Sequence, residues 1–326
     1  MASPEAEKFA ELLRSAPPMA ELPLAEQRAA GEHAEDMTTI PPGVSYTAVQ
    51  DRVRIDLTAD APVAPEGVEF TAAHPVRGLW AVPPAAPADR ALLYLFGGGH
   101  VITSVAARRR FAGHLALAAG VRVLALDYPL APEHPFPADV NAAVDGYDWL
   151  LEQRFPATGI ALAGESSGGG LVLSTLLELH RRDLPRPAAA YLMSPWADLT
   201  CSGASFDSRA DVDLECSSSS LLRMAAQYLA GHDPADFAAS PALADPSQLA
   251  AACPSLFVQV GGDEVLLDDS VTVARSAGMG GTRVRLEIWP EMQHFFQLGV
   301  GLYPEAQEAL DVAGDWLARR LDVTRT

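Results

Sequence analysis

Apolar positions in this chain follow two alternating rhythms. Six short stretches, residues 91–96, 121–126, 159–163, 189–193, 255–260 and 284–289, are rich in apolar residues, the first of them without a break. Runs this apolar suit strands buried on both faces of a parallel sheet, because no polar face remains for water. Between them lie segments with the spacing of helices: 106–119, 139–154, 167–182, 268–278 and 304–321. Strand-helix alternation of this kind predicts an α/β architecture. The alternation lapses between Asp198 and Ala252, where Ser, Asp and Ala dominate and one helix is expected near 221–230. That stretch reads as an insertion.

The first 45 residues have a different character. Residues 5–15 predict a short amphipathic helix with Phe9, Leu12 and Leu13 on one face. Residues 22–37 predict a second, more polar helix, ended by Pro41-Pro42-Gly43. Two such helices are too polar for a core of their own and are expected to lie over something else. From Val53 onward the pattern is one of strands and turns. The expected organisation is therefore an N-terminal helical cap segment over 1–45 and a catalytic domain over 46–326, with a cap insertion at about 200–230.

Composition narrows the possible roles. The 326 residues carry 42 acidic and 23 basic side chains, a formal charge of −19, which repels a phosphate backbone and excludes nucleic acid as an expected partner. No apolar run approaches the ~18 residues needed to span a bilayer. Met1 to Lys8 lacks the basic-then-apolar pattern of a secretory signal, so a soluble, cytoplasmic protein without membrane contact is expected. Cys201, Cys216 and Cys253 show no CxxC spacing and read as ordinary thiols rather than a disulfide framework or a zinc site.

The strongest chemical signal is Gly164-Glu165-Ser166-Ser167-Gly168, followed by Gly169 and Gly170, at the junction of a predicted strand and a predicted helix. In that frame a GxSxG sequence is a nucleophile elbow: the serine occupies a strained turn, and the next backbone N–H faces a developing oxyanion. Upstream, the strand over 91–96 runs into Gly97-Gly98-Gly99-His100-Val101, where glycines would let backbone donors approach a reacting carbonyl. A serine hydroxyl needs a base. His294 is the best placed of eight histidines, because it follows the last strand and a short loop and completes the order Ser, acid, His. The acid belongs at the end of the preceding strand, where Asp263, Glu264, Asp268 and Asp269 all compete.

These stretches, together with Asp127-Tyr128-Pro129-Leu130-Ala131-Pro132-Glu133-His134-Pro135-Phe136-Pro137-Ala138, Ser194-Pro195-Trp196-Ala197-Asp198-Leu199 and Val260 to Asp269, resemble the hormone-sensitive-lipase-like family from about residue 90 to the C-terminus. The resemblance implies an α/β-hydrolase fold: a mostly parallel eight-stranded sheet flanked by helices, with a helical cap. It implies Gly98, Gly99 and the N–H of Ser167 as oxyanion donors and puts Glu264 in the acid position, with Asp263 as the runner-up. Two departures stand out. The family's usual His-Gly-Gly-Gly-aromatic order is replaced by Phe96-Gly97-Gly98-Gly99-His100, and Pro129 stands where relatives usually carry arginine. From the first departure, His100 is expected to line the substrate pocket.

The predicted function is cleavage of small to medium carboxylic esters or lactones through an acyl-enzyme on Ser166, with no metal or cofactor. Two other readings share these residues: acyl transfer or cyclisation of one natural product, and ligand binding without catalysis, as in plant hormone receptors of the same family. The expected partner is the small-molecule substrate alone, with a homodimer also possible for this family.

Overall fold

The computed structural model describes residues 2–15 and 65–324. The helix predicted over 22–37, the boundary at 45 and Val53 lie outside the described residues. In chain order the elements are α1 (Pro4–Ser15), β1 (Glu69–Ala73), β2 (Gly78–Val82), β3 (Ala91–Leu95), α2 (Val105–Ala119), β4 (Arg122–Leu126), α3 (Ala138–Glu152), β5 (Ile160–Glu165), α4 (Ser167–Arg181), β6 (Ala189–Met193), α5 (Ser218–Leu229), α6 (Pro246–Ala252), β7 (Ser255–Gly261), α7 (Leu267–Met279), β8 (Val284–Trp289) and α8 (Pro304–Arg320). All six predicted strands and the five predicted flanking helices are present, each within about two residues of its expected ends. β1 and β2 were not predicted: the Glu-Phe-Thr-Ala-Ala of β1 is largely exposed and has no apolar run, whereas the short Gly-Leu-Trp-Ala-Val of β2 carries one that was missed.

The strands form one eight-stranded sheet in the order β1-β2-β4-β3-β5-β6-β7-β8. β2 runs antiparallel to both its neighbours, and every pairing from β4 to β8 is parallel. β3, β5 and β6 are buried along their whole length, as expected for central strands covered on both faces. One face carries α2 and α8, which pack on each other; the other carries α3, α4, α6 and α7 in a row of mutual contacts.

Local chemistry fixes the helix ends. Ser104 caps α2 by accepting from the N–H of Ala107 at 3.2 Å, and Gly120 ends it in the left-handed region at φ 67°. Ser217 and Ser220 form a reciprocal capping box at the start of α5. α1 buries Ala6, Phe9 and Leu13 against Met292, Phe296, Tyr303, Ala306 and Ala309, on the start of α8 and the loop before it. The residues between β6 and β7 hold only a helical turn (Ser205–Ser208), α5, a 3₁₀ turn (Pro241–Leu243) and α6. A separate apolar cluster of Phe206, Leu221, Ala225, Tyr228 and Leu229 joins this segment to Val101 and Ile102.

Candidate active site

Because β3, β5, β6, β7 and β8 are parallel, their C-terminal ends share one edge of the sheet, and in open α/β folds that edge is where sites form. Five loops meet there, carrying Gly97 to His100, Ser166, Ser194, Glu264 and His294 in turn.

Ser166 sits between β5 and α4 at φ 54°, ψ −127°, a left-handed conformation that a side chain adopts only under constraint. The constraint is visible in its backbone. Its N–H donates to Met193 at 2.9 Å, and its carbonyl accepts from Gly169, Gly170 and Trp196. The turn is possible because the strand and helix nearly touch: a Cβ on Gly168 would run into the carbonyl oxygens of Leu95 and Phe96. No side chain caps the N-terminus of α4, and among the described residues none accepts from the N–H of Ser167, Gly98 or Gly99.

Glu264 is fully buried and has three donors. Oε2 accepts from Nδ1 of His294 at 2.8 Å, while Oε1 accepts from the Ser194 hydroxyl at 2.7 Å and the Gly261 N–H at 2.5 Å. His294 is buried beside it, 6% exposed. Asp263, the alternative acid, is partly exposed and makes no hydrogen bond to His294; partial burial pushes its carboxyl upward. The structure thus brings Glu264, not Asp263, to the imidazole.

A cavity of about 70 Å³ adjoins these groups. Ser166, His294, the Gly97–Gly99 backbone, Ile102, Leu221 and Met224 border it. His100 is absent from that border, contrary to the expectation that it lines the substrate pocket. Its ring is instead buried away between Asp139 and Tyr228, for reasons taken up below.

Several supporting residues escaped sequence reasoning. Glu165 is buried under the glycine loop and accepts from the Gly97 N–H at 2.7 Å, the Tyr94 hydroxyl at 2.6 Å and Arg108 Nε at 3.0 Å. Burial raises its pKa, opposed by Arg108 and the hydrogen bonds. Phe96 stacks on Tyr128 with ring centres 4.4 Å apart, filling the place under the loop where relatives usually carry histidine. Asp213, between β6 and α5, accepts from the N–H groups of Val265, Glu215 and Cys216 at 2.7–2.8 Å. Burial pushes its carboxyl up to about 7. Gln293 is bonded to the same stretch through Val212 and Leu214. The neighbours of both Glu264 and His294 are therefore tied to one stretch of chain, residues 212–216. Only contact in three dimensions identifies these roles: Glu165 and Phe96 lie within the motifs, but nothing in the spacing says what they touch, and Asp213 lies in no motif.

The three cysteines are free thiols. Among the described residues no group of three or more His, Cys, Asp or Glu is placed to hold a metal ion, and no helix is long and apolar enough to cross a membrane.

Comparison with known proteins agrees with this fold. A family profile described as the alpha/beta hydrolase fold matches residues 92–298. An acetyl-hydrolase of Streptomyces hygroscopicus is 44% identical over 236 residues, covering 72% of this chain and 78% of that protein. An esterase from the bacterial hormone-sensitive lipase family is 34% identical, with a TM-score of 0.82 over 98% of this chain and 99% of its own. A hormone-sensitive lipase from a metagenome library superposes with a TM-score of 0.83 at 32% identity, over 97% of this chain and 98% of its own. The chain belongs to the α/β-hydrolase fold family, in its hormone-sensitive-lipase-like branch.

Proposed function

We propose that this protein is a serine carboxylesterase that cleaves esters of short acyl chains through an acyl-enzyme on Ser166. That it is a carboxylic ester hydrolase of the carboxylesterase type is supported by its esterase and acetyl-hydrolase relatives. The serine mechanism rests on one observation above the others: His294 and buried Glu264 are hydrogen-bonded at 2.8 Å, and the imidazole shares a small cavity with the strained Ser166.

In this reading His294 takes the Ser166 proton as Oγ attacks the ester carbonyl. The N–H groups of Gly98, Gly99 and Ser167 hold the tetrahedral oxyanion; one such donor is worth about 3–4 kcal/mol in comparable sites. His294 then protonates the departing alkoxide, and water repeats the sequence on the acyl-enzyme to release acid and free Ser166. Glu264 keeps the proton of the neutral imidazole on Nδ1, leaves Nε2 free as base, and stabilises the imidazolium.

Cavity size supports the substrate class. A volume of about 70 Å³ is several times the roughly 10–15 Å³ that one water molecule requires, room for a short acyl group. Small lactones carry the same carbonyl chemistry and are the natural second set of substrates to assay.

The test is hydrolysis of p-nitrophenyl esters from acetate to dodecanoate by wild type and Ser166→Ala. Turnover that peaks at acetate to butyrate and is lost in the variant is the expected result. Undiminished turnover by Ser166→Ala, or a preference for long chains, would overturn it.

A further inference from the structure

His100 carries an unusual backbone for a residue with a side chain, at φ 62° immediately after Gly98 (φ 117°) and Gly99 (φ 63°). A left-handed residue of this kind persists only when its surroundings over-determine it. Here they do so from several directions. The His100 N–H donates to the Ser167 hydroxyl at 3.2 Å, and its carbonyl accepts from Ala131 at 2.9 Å. Nδ1 lies 2.8 Å from Oδ2 of Asp139, to which it donates. The other oxygen of Asp139 accepts from the Tyr228 hydroxyl at 2.9 Å and the Val140 N–H at 2.8 Å. The rings of His100 and Tyr228 are stacked nearly parallel, 3.8 Å between centres at 9°. All three side chains are almost fully buried, at 4%, 1% and 2% exposure.

Tyr228 lies on α5, in the segment between β6 and β7, and Met224 one turn earlier presses on Gly99. Helix α5 therefore touches the glycine loop at two successive turns, on Gly99 and on His100. Asp139 belongs to the first turn of α3, so the His100 ring joins a helix of the sheet domain to a helix of the insertion. Buried polar groups that are fully satisfied in this way rigidify what they join, whereas one lost partner leaves a buried carboxylate or hydroxyl exposed to the full desolvation penalty.

We infer that His100, Asp139 and Tyr228 form a latch that positions the Gly98 and Gly99 N–H groups and couples the oxyanion loop to helix α5. The inference rests on the serine-hydrolase reading, since it assigns those N–H groups a task. In this chain the exchanged histidine does its work behind the loop rather than in the pocket. His100 touches neither the cavity nor the reacting atoms, so it is a positioning residue.

The experiment compares wild type with His100→Phe, Tyr228→Phe and His100→Gln by p-nitrophenyl acetate kinetics and by hydrogen exchange of the backbone amides of residues 96–103. His100→Phe keeps a ring for stacking and loses the donor; Tyr228→Phe removes one oxygen and serves if the first variant does not fold. In both, kcat should fall about 10- to 100-fold, less than the roughly 10²- to 10³-fold lost when an oxyanion donor is removed outright, with KM within about two-fold. Exchange should rise at His100, Val101 and Ile102, whose N–H groups are hydrogen-bonded, and His100→Gln, which restores an N–H toward Asp139, should recover part of both losses. Wild-type exchange rates in the folded Phe variants overturn the latch. Raised exchange with unchanged kcat overturns its role in placing the donors. If wild type itself turns over no ester, the serine-hydrolase reading fails separately, and the exchange rates still decide whether the latch holds the loop.

Discussion

Ser194 hands its hydroxyl hydrogen to Glu264 at 2.7 Å while accepting the N–H of Phe295, the residue after His294, at 3.1 Å. One side chain at the end of β6 thus links Glu264 to the loop that carries His294. Ser194→Ala removes an acceptor from a buried N–H and a donor from a buried carboxylate. It should cost about 1–3 kcal/mol of stability and about ten-fold in kcat, with KM little changed. Urea denaturation and steady-state kinetics on one preparation measure both.

The acid assignment is decided by a pair of variants. Glu264→Gln keeps the shape but places an amide where His294 needs an acceptor, and should lower kcat by about 10³- to 10⁴-fold. Asp263→Asn should lower it less than about three-fold, because Asp263 makes no bond to the imidazole. The reverse ranking would return the role to Asp263.

Backbone strain at Ser166 predicts a trade between stability and activity. At φ 54°, ψ −127°, glycine is comfortable where serine is not. Ser166→Gly should therefore raise the unfolding free energy by about 1 kcal/mol while abolishing turnover, whereas Ser166→Ala should abolish turnover without that gain. Thermal melts of the three proteins check the difference.

Acyl preference should follow Met224. Its sulfur lies against Gly99 at the border of the cavity. Met224→Ala opens room for further methylenes, each worth about 0.8 kcal/mol when buried. The ratio of kcat/KM for hexanoate over acetate should rise about ten-fold or more in a chain-length series.

Asp269 gives a pH prediction. Burial pushes its carboxyl up to about 8, even though Oδ2 accepts from the N–H groups of Ala197 and Asp198 at 2.8 Å. The folded state therefore binds a proton that the unfolded state has released once the pH passes about 4. Stability from this group is full below that pH and is lost as pH rises toward 8. Asp269→Asn keeps an oxygen for both N–H groups and cannot ionise. Its stability relative to wild type should climb between pH 5 and 8 by at most about 1.4 kcal/mol per pH unit. Urea midpoints at intervals of one pH unit test it, and a flat difference would refute the shift.

What could be read from the sequence follows from local physics. The strands at 91–96, 159–163 and 189–193 were legible because central parallel strands are apolar on both faces. β1 was not, because its exposed Glu-Phe-Thr-Ala-Ala has no such run, while the five-residue apolar run of β2 was passed over. Ser166 was legible because an elbow needs small residues at fixed offsets, and His294 because it follows the last strand.

The residue types at 96–100 show that histidine and aromatic have changed places, but they do not say which way the histidine points. Its direction was set by Asp139 and Tyr228, which lie 39 and 89 residues apart from the groups they meet. The choice of Glu264 over Asp263 likewise depended on which carboxylate faces the imidazole across two loops. The chain by itself determined the fold class, the serine and the histidine, since these rest on periodicity and short-range turn chemistry. Only the tertiary structure decided which carboxylate meets His294, where the His100 ring lies and the contacts of Ser194, Glu165 and Asp213, because a hydrogen bond needs angstrom proximity between residues far apart along the chain.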